Sequence, residues 1–265
     1  MLYINKISKT FNPGTINEKR ALHELSLHLA PGDFVTVIGG NGAGKSTMLN
    51  AVAGAWPVDA GSITIDGVDV TALPEYRRAY LIGRVFQDPM LGTAPDMWLE
   101  ENLALALRRG QPRGLRWGIS ARERETFREQ LAQLGLGLED RMTAKVGLLS
   151  GGQRQAVTLL MASLRKPKLL LLDEHTAALD PATAKKVLEL SDSIIQENQL
   201  TALMITHNMT DAIRHGNRLI MMNEGHIILD VRGEEKAHLT KRELMEKFTQ
   251  LSGAQMENDA MLLSK

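Results

Sequence analysis

Gly39-Gly40-Asn41-Gly42-Ala43-Gly44-Lys45-Ser46 is the stretch that most restricts what this chain can become. A strand-like run, Phe34-Val35-Thr36-Val37-Ile38, leads into it, and an apolar-periodic segment from Thr47 to Ala55 leaves it as a helix. In the spacing G-x-x-x-x-G-K-[ST], glycines let backbone N–H groups turn inward without Cβ clashes. The lysine reaches the terminal phosphates, and the serine hydroxyl ligates Mg2+. The helix that follows points its positive end at the same anion. A Gly-rich turn of no function would match this pattern on the order of once per 30,000 windows. The stretch therefore implies a nucleoside triphosphate site formed by Gly39, Asn41, Gly42, Ala43, Gly44, Lys45, Ser46 and Thr47.

The remaining composition narrows the class. With 265 residues and 43% apolar content the chain can bury a real core. No run approaches the roughly 18 apolar residues of a membrane span. The most apolar region, Leu159 to Leu172, is broken by Ser163, Arg165, Lys166, Pro167 and Lys168. Met1-Leu2-Tyr3-Ile4-Asn5 leads straight into a strand pattern, not into a signal peptide. A cytosolic location is expected, and action at a membrane would need another chain to span it. The absence of cysteine excludes disulfides, thiolate catalysis and Cys-ligated metal. The 31 basic and 31 acidic residues cancel, so no global field favours nucleic acid.

In chain order, alternation at Leu2, Ile4 and Ile7, and again from Leu25 to Leu29, predicts two half-buried strands. Phe11, at the end of the first, either stacks on an adenine ring or closes the strand as a core residue. Gly61 to Gly67 reads as a hairpin arm, and Arg84-Val85-Phe86 as a short buried strand ending at Gln87. Residues 97–164 are rich in helix formers, with periodic stretches at Leu99 to Leu107, Ala121 to Leu134 and Gly152 to Leu164. They predict an inserted helical unit between halves 1–96 and 165–265. The basic loop Arg108 to Gly114 reads as solvated. Lys168 to Asp173 predicts a parallel strand covered on both faces. Helices at Pro181 to Gln196 and Met209 to Arg214 then alternate with strands at Ala202 to Thr206 and Arg218 to Met222. A last strand, His226 to Leu229, and a helix, Thr240 to about Leu251, precede a weakly periodic tail, Ser252 to Lys265. This βαβ alternation argues for a parallel sheet.

Two further groups carry chemistry. Asp173 and Glu174 end the buried run at the carboxyl edge of a strand, where α/β sheets bind ligands. Asp173 is placed to hold Mg2+ and Glu174 to orient the attacking water. Gln87, ending another strand, is an amide able to reach the metal or the water. Leu149-Ser150-Gly151-Gly152-Gln153 opens a second helix, with Ser150 as its cap and glycines exposing N–H groups. Two phosphate-binding helix starts exceed what one nucleotide needs, unless the second serves a nucleotide held by another copy. That predicts a head-to-tail, two-fold homodimer.

Together and in this order, Gly39 to Ser46, Gln87, Leu149 to Gln153, Leu169 to Glu174, Ala178-Leu179-Asp180 and His207 resemble the ATP-binding cassette of ABC transporters, over nearly the whole chain. The pentapeptide Leu-Ser-Gly-Gly-Gln is the most specific part. The resemblance implies an α/β fold: a P-loop NTPase core with a mostly parallel sheet, an N-terminal antiparallel β-subdomain and an inserted α-helical subdomain. It implies ATP and Mg2+ as cofactors, with Ser46, Gln87 and Asp173 at the metal and Lys45, Gln87, Glu174 and His207 in catalysis. Ser150, Gly151, Gly152 and Gln153 would meet the ATP of the opposite subunit, and Asp180 would communicate across the dimer. The sequence departs from the family at His175, where proline is usual, and at Phe11, where tyrosine is usual. The implied partners are a separate membrane permease at the cytoplasmic face, docking near Gln87 to Leu103, and an extracytoplasmic solute-binding protein. The stretches Phe86 to Thr93 and Glu101 to Ala106 resemble importer subunits for amino acids or related small molecules. The alternative is a soluble cassette ATPase, acting on nucleic acid or ribosomes or sensing nucleotide. Translation factors of that kind resemble two cassettes in one chain, and chromosome ATPases carry a long coiled coil, neither of which fits here.

Overall fold

The structure is a computed structural model describing residues 1–111 and 118–252. Strands β1 (Leu2–Phe11) and β2 (Lys19–Leu29) pair antiparallel, each burying alternate leucines and isoleucines. A turn through Gly32 feeds β3 (Phe34–Ile38), buried at every position. Helix α1 (Lys45–Ala53) follows the glycine-rich loop directly, starting two residues before the Thr47 expected. Strands β4 (Ala60–Ile65) and β5 (Val68–Asp69) make the predicted hairpin arm. A short helix α2 (Glu75–Arg78), without periodicity to announce it, precedes β6 (Ile82–Val85). Phe86 falls beyond this strand, and both Arg84 and Phe86 are only half-buried.

Helices α3 (Leu99–Leu107), α4 (Ala121–Gln133) and α5 (Gly151–Ser163) occupy the helix-rich region. They share a buried cluster that includes Leu99, Leu103, Phe127, Leu131, Val157 and Leu160. Then come β7 (Leu169–Asp173), α6 (Pro181–Glu197), β8 (Thr201–Ile205), α7 (Met209–Arg214), β9 (Arg218–Asn223) and β10 (His226–Arg232). Helices α8 (Gly233–Ala237) and α9 (Lys241–Ser252) end the described chain, so most of the predicted tail lies outside the described residues. So does 112–117, the end of the predicted basic loop together with the three residues after it.

Most helix starts were written as side-chain caps. Ser120 with Glu123, Ser150 with Gln153, and Thr240 with Glu243 each exchange hydrogen bonds, the hydroxyl accepting from the third residue's N–H and its side chain accepting in return. Asp180 caps α6, with Pro181 at its first position.

The strands form two sheets. One is antiparallel in the order β2-β1-β4-β5, and the other runs β10-β9-β3-β8-β7-β6. In the second, β9, β3, β8, β7 and β6 are mutually parallel and β10 is antiparallel to β9. Its register gathers the chemistry. Val37 pairs with Ile205, Ile205 with Asp173, and Leu172 with Val85. Gly39, His207, Glu174 and Gln87 therefore all leave the sheet at one edge, within two residues of that line. Adjacent strands lie about 4.8 Å apart, so β3 and β6 are separated by roughly 14 Å.

Arg78 ties this frame together. It is 2% exposed, and its guanidinium donates to the carbonyls of Ala51 and Val52 at 2.8 Å each, of Leu73 at 2.8 Å and of Thr71 at 3.2 Å. The first two are carbonyls in the last turn of α1, where the negative end of the helix dipole lies and where Ala51 has, besides Arg78, only the capping N–H of Gly54 at 3.2 Å. Gly54 makes room: a Cβ there would come within 2.6 Å of Arg78 Nε. Replacing Arg78 by Ala removes four hydrogen bonds to buried and half-buried carbonyls and is expected to lower stability by about 3 kcal/mol. Urea unfolding should show a lower midpoint with an unchanged slope; an unchanged midpoint contradicts this role.

Candidate active site

The glycine-rich loop is built by close approach of backbones. Gly39 sits at φ +151°, where a Cβ would fall 2.2 Å from the Met222 carbonyl oxygen on β9. Gly44 sits at φ +97°, with a Cβ position 2.6 Å from the carbonyl of Ala21 on β2. No side chain fits either place. Gly44 is also the residue preceding α1 and offers no side-chain cap, which leaves the first-turn N–H groups for an external acceptor. Lys45 is 8% exposed, and its ammonium donates to the carbonyls of Gly39 at 2.7 Å and Gly40 at 3.0 Å. The charge is thus already held inside the loop rather than on a mobile stem. Asn50 locks the other side, its amide donating to the Ser46 carbonyl at 2.8 Å.

These residues floor a cleft of about 260 Å3 lined by Phe11, Lys19, Ala21, Asn41 to Thr47 and Glu174. Phe11 is at the predicted strand end and lies edge-on to Trp56, ring centres 5.1 Å apart. One wall of the cleft is a ring and the floor is backbone N–H and ammonium, which fits a base at one end and phosphates at the other.

The acidic pair leaves β7 in two directions. Asp173 Oδ2 lies 3.7 Å from Arg84 Nη2, and burial pushes its carboxyl up while Arg84 opposes the rise. Glu174 takes a left-handed φ of +44°, uncommon for a side chain of this size, and its N–H is fixed to the Ile205 carbonyl at 3.1 Å. Its carboxylate stands 3.8 Å from His207 Nδ1. That imidazole holds Glu174 below the usual carboxylate range against the effect of burial, and Glu174 in turn raises His207. His175, the departure at the proline position, turns into the interior directly after Glu174. It is 2% exposed, bonded through Nε2 to Ser191 Oγ at 3.0 Å, and burial pushes it down to about 4.

Gln87 is exposed and lines a second cleft with Asp173, Arg84 and Asn50. Ser46, Asp173 and Gln87 present a hydroxyl, a carboxylate and an amide, the hard oxygen donors that suit Mg2+. Among the described residues no cluster of three or more His, Cys, Asp or Glu forms a metal cage. A divalent ion here would draw its remaining ligands from phosphate and water, as Mg2+ characteristically does.

The other predicted residues sit apart. Ser150, Gly151, Gly152 and Gln153 are outside the lining of this cleft. Ser150 and Gln153 cap α5, while Gly152 packs against α6, where a Cβ would lie 2.1 Å from Thr183 Cγ2. Asp180 accepts from Thr183 N–H at 3.1 Å, which lowers its pKa. Sequence reading missed Lys19, Ala21, Asn50 and Arg84. Lys19 reaches the loop only through the β1–β2 register, its Nζ 3.0 Å from a Cβ placed on Gly42. Asn50 did carry a signal, standing four residues after Ser46 on the same helix face.

A strand-to-helix phosphate loop beside a buried strand that ends in two carboxylates defines a P-loop nucleotide-binding α/β protein. The chain belongs to the ABC transporter family, whose profile matches residues 22–177, and it is an ATPase. It is 46% identical to the tyrosine transport ATP-binding protein of Clostridioides difficile (strain R20291), over 94% of this chain and 98% of that one. It is 36% identical to the thiamine import ATP-binding protein of Shigella flexneri, over 79% and 85%. Among solved structures, a dimeric ATP-binding cassette in a post-hydrolysis state bound to ADP and Pi superposes with a TM-score of 0.75 at 30% identity, covering 88% and 98%.

The pairing of Glu174 with His207 sets a pH signature. A raised His207 contributes stability fully below the ordinary histidine value and loses it as pH rises through the folded pKa. A lowered Glu174 contributes above the ordinary glutamate value and loses it as pH falls through its own. The pair therefore acts between those limits. NMR titration of the His207 ring is expected to give a pKa above about 6.5, falling when Glu174 is replaced by Gln. An unaltered His207 titration in that variant contradicts the coupling.

Proposed function

We propose that this chain is the ATP-binding and hydrolysing subunit of an importer, closing on a second copy of itself to drive a separate permease. The observation that carries the reading is the division of the anion sites. The cleft over the glycine-rich loop, about 260 Å3, is open to solvent, and the Ser150 to Gln153 helix start lies outside it. A head-to-tail pair places the second against the open side of the first. A solved dimer of similar fold supports pairing of two copies.

Within each copy, the first-turn N–H groups of α1 and Lys45 bind the phosphates, and Phe11 stacks on the base. Ser46, Asp173 and Gln87 would hold Mg2+, which when bound would supply positive charge to offset that developing on the phosphoryl group. Glu174, fixed by its backbone and paired with His207, orients water for in-line attack. Ser150, Gly151, Gly152 and Gln153 complete the partner's site, and Asp180 couples the two. We treat 97–164 as an inserted helical unit on the core formed by 1–96 and 165–265, in keeping with the buried cluster of its own that α3, α4 and α5 share.

The permease contact fits a groove of about 430 Å3 between the core and this unit, lined by Ile82, Phe86, Leu91, Leu105 and Met161. Leu91 is 70% exposed, an apolar surface suited to a short amphipathic helix. Attachment at the cytoplasmic face is part of this reading through the permease; no helix among the described residues is long and apolar enough to cross a membrane. The names of the relatives favour a small solute, and the tyrosine transport relative favours an amino acid, delivered by an extracytoplasmic binding protein.

Replacing Glu174 by Gln is expected to lower ATP turnover roughly a hundredfold or more while ATP binding persists. Size-exclusion chromatography with light scattering should then find a dimer in ATP and a monomer in ADP. A monomeric variant of undiminished turnover contradicts the reading.

A further inference from the structure

Arg84 is the cation that the nucleotide-site pattern does not account for. Its side chain is 12% exposed and stands at the junction of three elements. Nη2 donates to Asn50 Oδ1 on α1 at 2.7 Å and lies 3.7 Å from Asp173 Oδ2 on β7. Nη1 lies 3.5 Å from Glu75 Oε1 on α2. The guanidinium carbon sits 4.5 Å from the centre of the Phe86 ring, and Nε is buried without a hydrogen-bond partner among the described residues. One side of Arg84 lines the groove with Leu91 and Leu105, and the other lines the cleft with Gln87 and Asp173.

We propose that Arg84 is a positioning residue that serves as the resident counter-cation of Asp173 and so sets how strongly ATP binding depends on Mg2+. The inference rests on Asp173 being a Mg2+ ligand. A planar guanidinium held by Asn50 and stacked on Phe86 cannot swing freely away. Its charge therefore offsets the carboxylate's negative potential when no metal is bound, and repels a divalent ion placed on the same carboxylate. Glu75, which lines both the groove and the cleft, acts in the opposite sense by sharing the guanidinium. Anything in the groove that engages Arg84 or Glu75 shifts the balance at Asp173, which makes this side chain a physical link from the groove to the metal.

The test uses the full chain carrying Glu174→Gln, with the ATP dissociation constant measured by calorimetry in excess Mg2+ and again in EDTA. The ratio of the EDTA value to the Mg2+ value reads the metal dependence. Arg84→Met is expected to raise it about tenfold, through loss of repulsion, and Arg84→Lys to return it toward the parent. Glu75→Gln, an exposed change, is expected to lower the ratio about twofold, a direction opposite to Arg84→Met that simple loss of structure does not produce. Asp173→Asn separates the two readings. If it leaves the ratio unchanged, Asp173 is not a metal ligand and the site assignment itself fails. If it collapses the ratio while Arg84→Met leaves it unchanged or lower, only the role of Arg84 is overturned. Should Arg84→Met not fold, an unchanged ratio in Glu75→Gln overturns it equally.

Discussion

Everything functional in this molecule depends on the register of four parallel strands. Once Val37 pairs with Ile205, Ile205 with Asp173 and Leu172 with Val85, the loop, the two carboxylates, the histidine and the glutamine emerge along one edge. A slip of one residue in any pair would move a side chain to the opposite face and lengthen or shorten its reach by about 3.3 Å. Strands buried on both faces carry no alternation to forbid such a slip, so the register is held by close packing and by bonds at the strand ends, Thr206 N–H to the Val37 carbonyl and Glu174 N–H to the Ile205 carbonyl at 3.1 Å each.

On that edge the protein prepares charge before any ligand arrives. Lys45 is tethered by its own loop, Glu174 is turned outward by an unusual backbone angle, and Asp173 is balanced by Arg84. Each arrangement has an energetic cost in isolation, and each is sustained by neighbours that are fully packed. This is preorganisation: fixed dipoles and charges need not rearrange as phosphoryl transfer proceeds.

Much of this was legible in the chain itself. The phosphate loop announces itself because glycine, lysine and serine at fixed spacing have few other uses, and the structure gives a steric reason at Gly39 and Gly44. Helices α3 and α7 fall where their periodicity places them, and Ser150 caps α5 as expected, although that helix starts at Gly151, one residue before its periodic stretch. What escaped has long-range causes. The short helix α2 holds its place through Arg78, and an arginine in sequence gives no sign that it will be buried against the end of another helix. Arg84 was read only as part of a buried strand, because its partners Asn50, Glu75 and Asp173 come from three separate stretches. His175 breaks the family pattern, and its partner Ser191 lies on the next helix, in a stretch whose periodicity marks a helix but not which residue it meets.

The double duty of α2 has a mechanical corollary. Its two ends grip different things: Arg78 clamps the tail of the phosphate-loop helix, and Glu75 touches the guanidinium beside Asp173. One turn of helix therefore stands between the phosphate-loop helix and the guanidinium beside the carboxylate, so the spacing of the two is referred to a single short element.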